Sequence, residues 1–182
     1  MKKIPTTYIL AETLKEMLNV KSFEKITVTD ILRESHVSRA TFYKYFCDKE
    51  QLLEYILRQD IINPIFMNRE LAVSDHKLVI FDTISSKRRF FLNAFEVPTF
   101  VSCWRKESAK SLYALYRPRC DLPEQQLWFI CRTLGSTLPY INQQFLMNGV
   151  ECENREKTAD LWQNMCDRAI LSTDISSGHI YR

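Results

Sequence analysis

The stretch Val37-Ser38-Arg39-Ala40-Thr41-Phe42-Tyr43-Lys44-Tyr45-Phe46 limits the folds open to this chain more than any other feature. Ser38 can cap the free N–H groups of a first helical turn, so a short helix should begin there. Phe42 and Phe46, four apart, would form one apolar stripe and leave Arg39, Thr41, Tyr43, Lys44 and Tyr45 facing outward. Aromatic residues at this density on a short helix imply contact with protein or with another molecule. A helix so furnished can lie in a DNA groove.

The residues on either side give it a setting. From Thr7 to Leu18, the apolar set Leu10, Leu14, Met17 and Leu18 has helical spacing, with Glu12, Lys15 and Glu16 outside it. A turn at Val20 to Ile26 follows. Thr27-Val28-Thr29-Asp30 then pairs a threonine with an acid three residues on, a capping-box start leading into Ile31 and Leu32. Arg33-Glu34-Ser35-His36 brings the chain almost at once to Ser38. Three helices with the last two joined by a tight turn make a helix-turn-helix, whose second helix of the pair enters the major groove. Asp48, with Gln51 three residues later, starts a fourth helix with Leu52, Leu53, Ile56 and Leu57 as its apolar face. It should end or kink at Asn63-Pro64.

In order and spacing, Thr27-Val28-Thr29-Asp30-Ile31, the stretch 37–46 and Asp48-Lys49-Glu50-Gln51-Leu52-Leu53 resemble the N-terminal DNA-binding domain of the tetracycline-repressor (TetR) family of bacterial transcription regulators. The resemblance runs from about Thr7 to Leu57. It implies a helix-turn-helix domain over residues 1–50, a linking helix over about 48–66 that transmits a signal, and a helical regulatory and dimerisation domain over 67–182. It also implies that Lys49 clamps the DNA backbone. His36 departs from the pattern, standing where the family usually has glycine in the turn; histidine tolerates positive φ better than a β-branched residue, at some cost. Gly135 with Phe145 and Gly149 is also similar to the C-terminal region of a subgroup that includes regulators of dihydroxyacetone kinase operons.

On such a domain the side chains divide by chemistry. Arg39 is the candidate for base readout, because a guanidinium can bind guanine bidentately. Lys44, Tyr43 and Tyr45 suit phosphate contacts, and Ser38, Ala40 and Thr41 share their surface. Thr27 and Thr29 sit at a helix start, which is both a cap and a natural phosphate site. The net charge is only +3, and within the first fifty residues Lys and Arg barely outnumber Asp and Glu. Affinity must therefore come from local placement, and two subunits on a pseudo-palindromic site would double it.

Composition excludes several classes. At 182 residues and 46% hydrophobic the chain can bury a substantial core. No apolar run reaches the length of a membrane span, and Met1-Lys2-Lys3-Ile4-Pro5 is no secretion signal, so a cytoplasmic protein is expected. Six cysteines never form a C-x-x-C, which points to reduced structural thiols and neither zinc nor disulfides. His36, His76 and His179 share no ligand spacing, so no metal is expected. With three glycines there is no phosphate-cradling loop, and no serine lies in a nucleophile-elbow pattern. Neither a cofactor nor catalytic residues are expected.

The rest of the chain reads as all-α. One helix is expected over Asp75 to Glu96, another over Thr99 to Tyr116 and a loop from Arg117 to Pro123. Glu124 to Asn148 is long and apolar, interrupted by Gly135 and Pro139 and ended by Gly149; Asn154 should cap a last helix from Arg155 to about Leu171. The last two helices are apolar over more than one stripe. Leu127, Leu134, Leu138, Ile141, Phe145, Leu161, Trp162, Met165 and Ala169 are the candidates for a four-helix dimer interface, which is also how members of the resembled family pair. Phe81, Phe91, Phe95, Phe100, Trp104, Tyr113 and Trp128 are equally open to lining an effector pocket or to forming core. The expectation is a DNA-binding homodimer, a repressor whose affinity an effector modulates. The alternative is a co-activator that answers to a protein partner.

Overall fold

A computed structural model describes residues 4–67, 73–148 and 152–171. Among them every regular element is helical: α1 Thr6–Leu18, α2 Val28–Ser35, α3 Arg39–Tyr45, α4 Lys49–Leu57, α5 Asn63–Met67, α6 Val73–Ser86, α7 Arg88–Phe95, α8 Pro98–Tyr116, α9 Glu124–Asn148 and α10 Cys152–Ile170. Gly149 and the tail from Ser172 lie outside the described residues.

The start signals in the N-terminal third do what their chemistry allows. Thr27 accepts a hydrogen bond from the Asp30 amide at 3.1 Å while the Asp30 carboxylate accepts from the Thr27 amide at 3.0 Å, a reciprocal capping box. Ser38 caps α3 through the Thr41 amide at 3.2 Å, and Asp48 caps α4 through the Gln51 amide at 2.7 Å. The Gln51 side chain reaches one residue further back than a capping box requires, accepting from the Cys47 amide at 2.6 Å. His36 ends α2 at φ 54°, ψ 26°, the left-handed conformation that the turn needs.

Pro64 does not end the linking helix. Lacking an N–H to give the Asp60 carbonyl, it is preceded by one π-helical turn, Arg58–Ile62, in which the Asn63 amide bonds five residues back to Arg58; α5 then continues. The expected 75–96 helix is two helices, broken at Lys87 (φ −119°, ψ 38°), whose ammonium pairs with Asp60 at 2.6 Å. Conversely, α9 runs unbroken through Gly135 and Pro139. Pro139 would oppose the Gly135 carbonyl, four residues earlier, but at that point α9 is pressed against α8, with Gly135 on the Ala109 backbone. Packing along α8 overrides the local breakers. The last helix starts by Cys152, so Asn154 lies inside it and is not its cap.

One continuous core joins the parts. Leu10, Leu14, Leu18, Ile31, Phe42 and Phe46 meet Leu52, Leu53 and Ile56, and through Ile61, Ile62 and Ile65 the cluster runs on to Phe81, Phe91, Trp104 and Leu138. Polar ties follow the same route. Asp60, in the π turn, also pairs with Lys15 of α1 at 3.3 Å, and Asn93 of α7 donates to the Leu18 carbonyl at 2.6 Å.

Candidate nucleic-acid interface

Helix α3 is held by two aromatic residues and presents the rest. Phe42 and Phe46 are buried, with ring centroids 5.9 Å apart, and Phe46 meets Tyr55 edge-on at 5.4 Å. Ser38, Arg39, Ala40, Tyr43, Lys44 and Tyr45 are exposed together, and Thr41 is half-buried with its hydroxyl 2.8 Å from that of Ser38. The Arg39 guanidinium stands 5.8 Å from the centre of the Tyr43 ring, and the Lys44 ammonium the same distance from Tyr45. Each cation is thus steadied by a phenol without losing access to solvent, an arrangement that spares some side-chain entropy on meeting a polyanion.

Helix α2 leads toward the same surface. Thr27 and Thr29 are both exposed at its start. The Thr27 hydroxyl is already occupied, donating to the Asp30 carboxylate at 2.7 Å while it caps the helix. That bond, with the Thr27 amide and the Arg33 guanidinium, holds the Asp30 carboxyl below its ordinary range. Thr29 keeps its hydroxyl accessible. Lys49 is engaged within the chain: its ammonium donates to the carbonyls of Phe23 and Ile26, both at 2.8 Å, and lies 4.2 Å over the Phe23 ring. It ties α4 to the turn before α2 and leaves one of its three N–H groups for a further acceptor.

In the C-terminal part the expected pocket residues separate. Phe91, Phe95, Phe100 and Trp104 pack on one another as a core cluster, with Phe95 and Trp104 stacked at 5.1 Å, and Phe81 stacks on Phe145 at 4.1 Å. Tyr113 and Trp128 stack at 4.4 Å beside a surface groove of about 510 Å³ flanked by Arg105, Lys106, Lys110 and Arg132. A buried cavity of about 30 Å³ lies elsewhere, among Ile62, Ile65, Lys77, Ile80, Leu112, Leu138 and Trp162; of the expected set only Trp104 reaches it. Lys77 was missed because lysines are rarely buried. Its spacing, three before Ile80 and four before Phe81, was the available signal.

The expected interface residues divide as well. Leu127, Leu138, Phe145 and Trp162 are buried in the subunit's own core, and Leu134, Ile141 and Ala169 are half-buried. Leu161 and Met165 on α10 do face outward. On α9 the free stripe is Phe129, Thr133, Ser136, Tyr140 and Met147, with Phe129 72% exposed. Both sides of α9 carry large apolar residues, and periodicity alone chose the side that packs on α8.

Residues 10–56 match the family described as bacterial regulatory proteins, tetR family. Over 162 residues the chain is 24% identical to the HTH-type dhaKLM operon transcriptional activator DhaS of Lactococcus lactis subsp. lactis (strain IL1403), covering 84% of this chain and 85% of that one. The solved structure of a dihydroxyacetone kinase operon activator DhaS aligns with a TM-score of 0.67 at 21% identity, over 93% of this chain and 98% of its own. A TetR transcriptional regulator from Streptococcus agalactiae 2603V aligns with a TM-score of 0.61 at 21% identity, over 88% and 93%. At these identities the structures speak for the fold. The matched 10–56 segment contains the whole capped α2–α3 unit.

Proposed function

We propose, from the premise that this chain is a DNA-binding transcriptional regulator of the tetR family, that it grips a pseudo-palindromic operator as a homodimer and represses until an effector binds its C-terminal helices. The observation that carries this is the outer face of α3: two buried phenylalanines fix the helix, while Arg39, Tyr43, Lys44 and Tyr45 stand free side by side. Arg39 reads a base, and Tyr43, Lys44 and Tyr45 take phosphates, with Ser38, Ala40, Thr41 and Thr29 against the same backbone. Two copies of α3 on successive major-groove faces supply what one short helix with little net charge lacks. The paired surface is the outer stripe of α9 with Leu161 and Met165 of α10.

An effector would act through the linking helix. Ile62 and Ile65 line the cavity, and the π turn that ends at Ile62 is tied to α1 through Asp60 and Lys15. A small shift of that segment changes the separation of the two recognition helices, and so the fraction of dimers able to span both half-sites.

Salt-dependent binding to the DNA flanking the gene tests the groove assignment. With two subunits each placing Lys44 on a phosphate, log K should fall against log salt with a slope of about −2 from these contacts. Arg39→Ala should weaken specific binding by about 1–3 kcal/mol per half-site and relax sequence preference. Affinity unchanged in Arg39→Ala would overturn the assignment.

Activation through a protein partner is the alternative, and the groove beside Trp128 favours it. Arg105, Lys106, Lys110 and Arg132 concentrate positive charge there around the half-buried Trp128 ring, which suits an acidic segment. A DhaS relative described as an activator fits that alternative too.

A further inference from the structure

Several cations of the DNA-binding part are already engaged. Lys15 is held by Glu12 and Asp60, Arg33 by Asp30 and Glu34, and Lys49 by two backbone carbonyls. Among the described residues up to Leu57, Lys21, Lys25, Arg39 and Lys44 are exposed and pair with no carboxylate. Arg39 and Lys44 belong to α3. Lys21 closes the turn that follows α1, its amide donating to the Met17 carbonyl at 2.9 Å. Lys25 stands two residues before Thr27, the cap of α2. The two Cα atoms are therefore at most about 7 Å apart.

The turn that carries Lys25 is pinned from both sides. Phe23 and Ile26 are buried, and Glu24 and Lys25 between them are exposed. Phe23–Lys25 form one 3₁₀ turn, closed by the Ile26 amide on the Phe23 carbonyl at 3.1 Å. In that geometry successive side chains stand about 120° apart, so Glu24 and Lys25 point different ways. The carbonyls of Phe23 and Ile26, which bracket Lys25, both accept from the Lys49 ammonium at 2.8 Å. Such charge-assisted bonds are stronger than neutral ones. A backbone held at both ends leaves fewer orientations to the side chain between, and so less entropy to lose when that side chain meets a ligand.

We infer that Lys25 is a further contact to DNA phosphate and that Lys49 is its positioning residue, holding the turn 23–26 on α4 so that the Lys25 ammonium stands beside the start of α2. In a helix-turn-helix the first helix of the pair crosses the sugar-phosphate backbone, and a helix start favours an anion. The capping box uses the amides of Thr27 and Asp30 and turns the Asp30 carboxylate back on Thr27 and Arg33. The acid of that first turn is thus matched, and the Thr29 hydroxyl and the Lys25 ammonium are left to the outside. A lysine there acts as a point charge on phosphate and reads no base. DNA binding alone is required; neither an effector nor the sign of regulation enters.

The test is a fluorescence-anisotropy titration of the full chain, over a range of salt, on the DNA flanking the gene and on an unrelated duplex of equal length. Lys25→Gln should flatten the plot of log K against log salt by about 1 for each bound subunit, about 2 for a dimer, on both duplexes. The ratio of the two affinities and the unfolding midpoint should not move, and Lys25→Arg should restore the slope. An unaltered slope in Lys25→Gln would overturn the contact. Lys49→Met keeps an apolar stem over the Phe23 ring and loses both bonds to the turn. It should flatten the slope as much as Lys25→Gln does, adding Lys25→Gln to it should flatten the slope no further, and trypsin should cut after Lys25 faster. Losses that add would make Lys49 a phosphate contact in its own right; that result, a slope unchanged in Lys49→Met, or cleavage at an unchanged rate would each overturn the positioning role. Should Lys49→Met fail to fold, Lys49→Gln, which keeps a neutral donor near the carbonyls, takes its place with the same outcomes.

Discussion

His36 shows how a single side chain can keep a turn at a cost. At φ 54° it occupies a conformation that only glycine adopts freely, yet the turn between α2 and α3 depends on it. His36→Gly should therefore stabilise the protein by about 0.5–1 kcal/mol, the relief of strain outweighing the entropy glycine adds to the unfolded chain. A rise in the denaturant midpoint at unchanged slope is the expected observation. Lys77 pays a different cost, one that depends on pH. Burial lowers its pKa to about 7 from 10.5, with the neutral Cys166 thiol and Asn142 facing it from α10 and α9 and His76 beside it on α6. Between those values the unfolded chain holds a proton that the folded chain has released, so stability rises with pH across that window and is lost as pH falls through about 7. The stability advantage of Lys77→Met over the unaltered protein should accordingly be large at pH 6.5 and shrink by pH 9. An advantage constant over that range would show that the folded protein keeps Lys77 charged.

Where two helices meet, one missing methyl group decides the spacing. A Cβ on Gly135 would stand 2.6 Å from the Ala109 amide nitrogen and 2.9 Å from its Cα, both backbone atoms that move only if α8 and α9 slide apart. Gly135→Ala gains up to about 1 kcal/mol of helix propensity but overpacks the contact at about 1–3 kcal/mol. Net destabilisation is expected, visible as a lowered thermal midpoint with helix content preserved at low temperature. The same contact explains which elements could be read from the residues alone. Helices α1 to α4 announce themselves, because Thr27, Ser38 and Asp48 cap locally and the stripes of Leu10, Leu14, Phe42 and Phe46 face one small core. Farther on, local signals lose to packing: Gly135 and Pro139 suggest a break, and α8 holds the helix straight; Lys87 looks like any surface lysine, and its bond to Asp60 marks a break. The exposed side chains of α3 were legible because exposure there follows from the two buried phenylalanines. The hydrogen bonds of Lys49 were not, since its partners at Phe23 and Ile26 are more than twenty residues away and are carbonyls, which carry no sequence signature.

The outer stripe of α9 and the outward side of α10 form the surface proposed for pairing, on which operator binding by a dimer would depend. Phe129, Tyr140 and Met147 on one helix and Leu161 and Met165 on the other are large apolar side chains facing solvent in the single subunit, with Leu161 62% exposed. An isologous dimer would bury each of them twice, at about 1.5–3 kcal/mol for each side chain fully covered, against several kcal/mol of lost translational and rotational freedom. Four or five such residues per subunit are enough for stable pairing; one or two are not. Placing two like charges across the two-fold in the double variant Leu161→Glu, Met165→Glu should therefore give a monomer by light scattering at micromolar concentration. The unfolding midpoint should fall only by what association contributes and lose its dependence on protein concentration, with helix content kept at low temperature, because neither residue belongs to the subunit's own core. If α3 acts as proposed, the monomer keeps its non-specific DNA affinity with about half the salt slope, and its affinity for the two-half-site operator falls by about a thousandfold or more, since the second half-site is no longer reached within the same complex. A variant that stays dimeric would move the interface to another face, and a monomer with undiminished operator affinity would remove the need for two recognition helices.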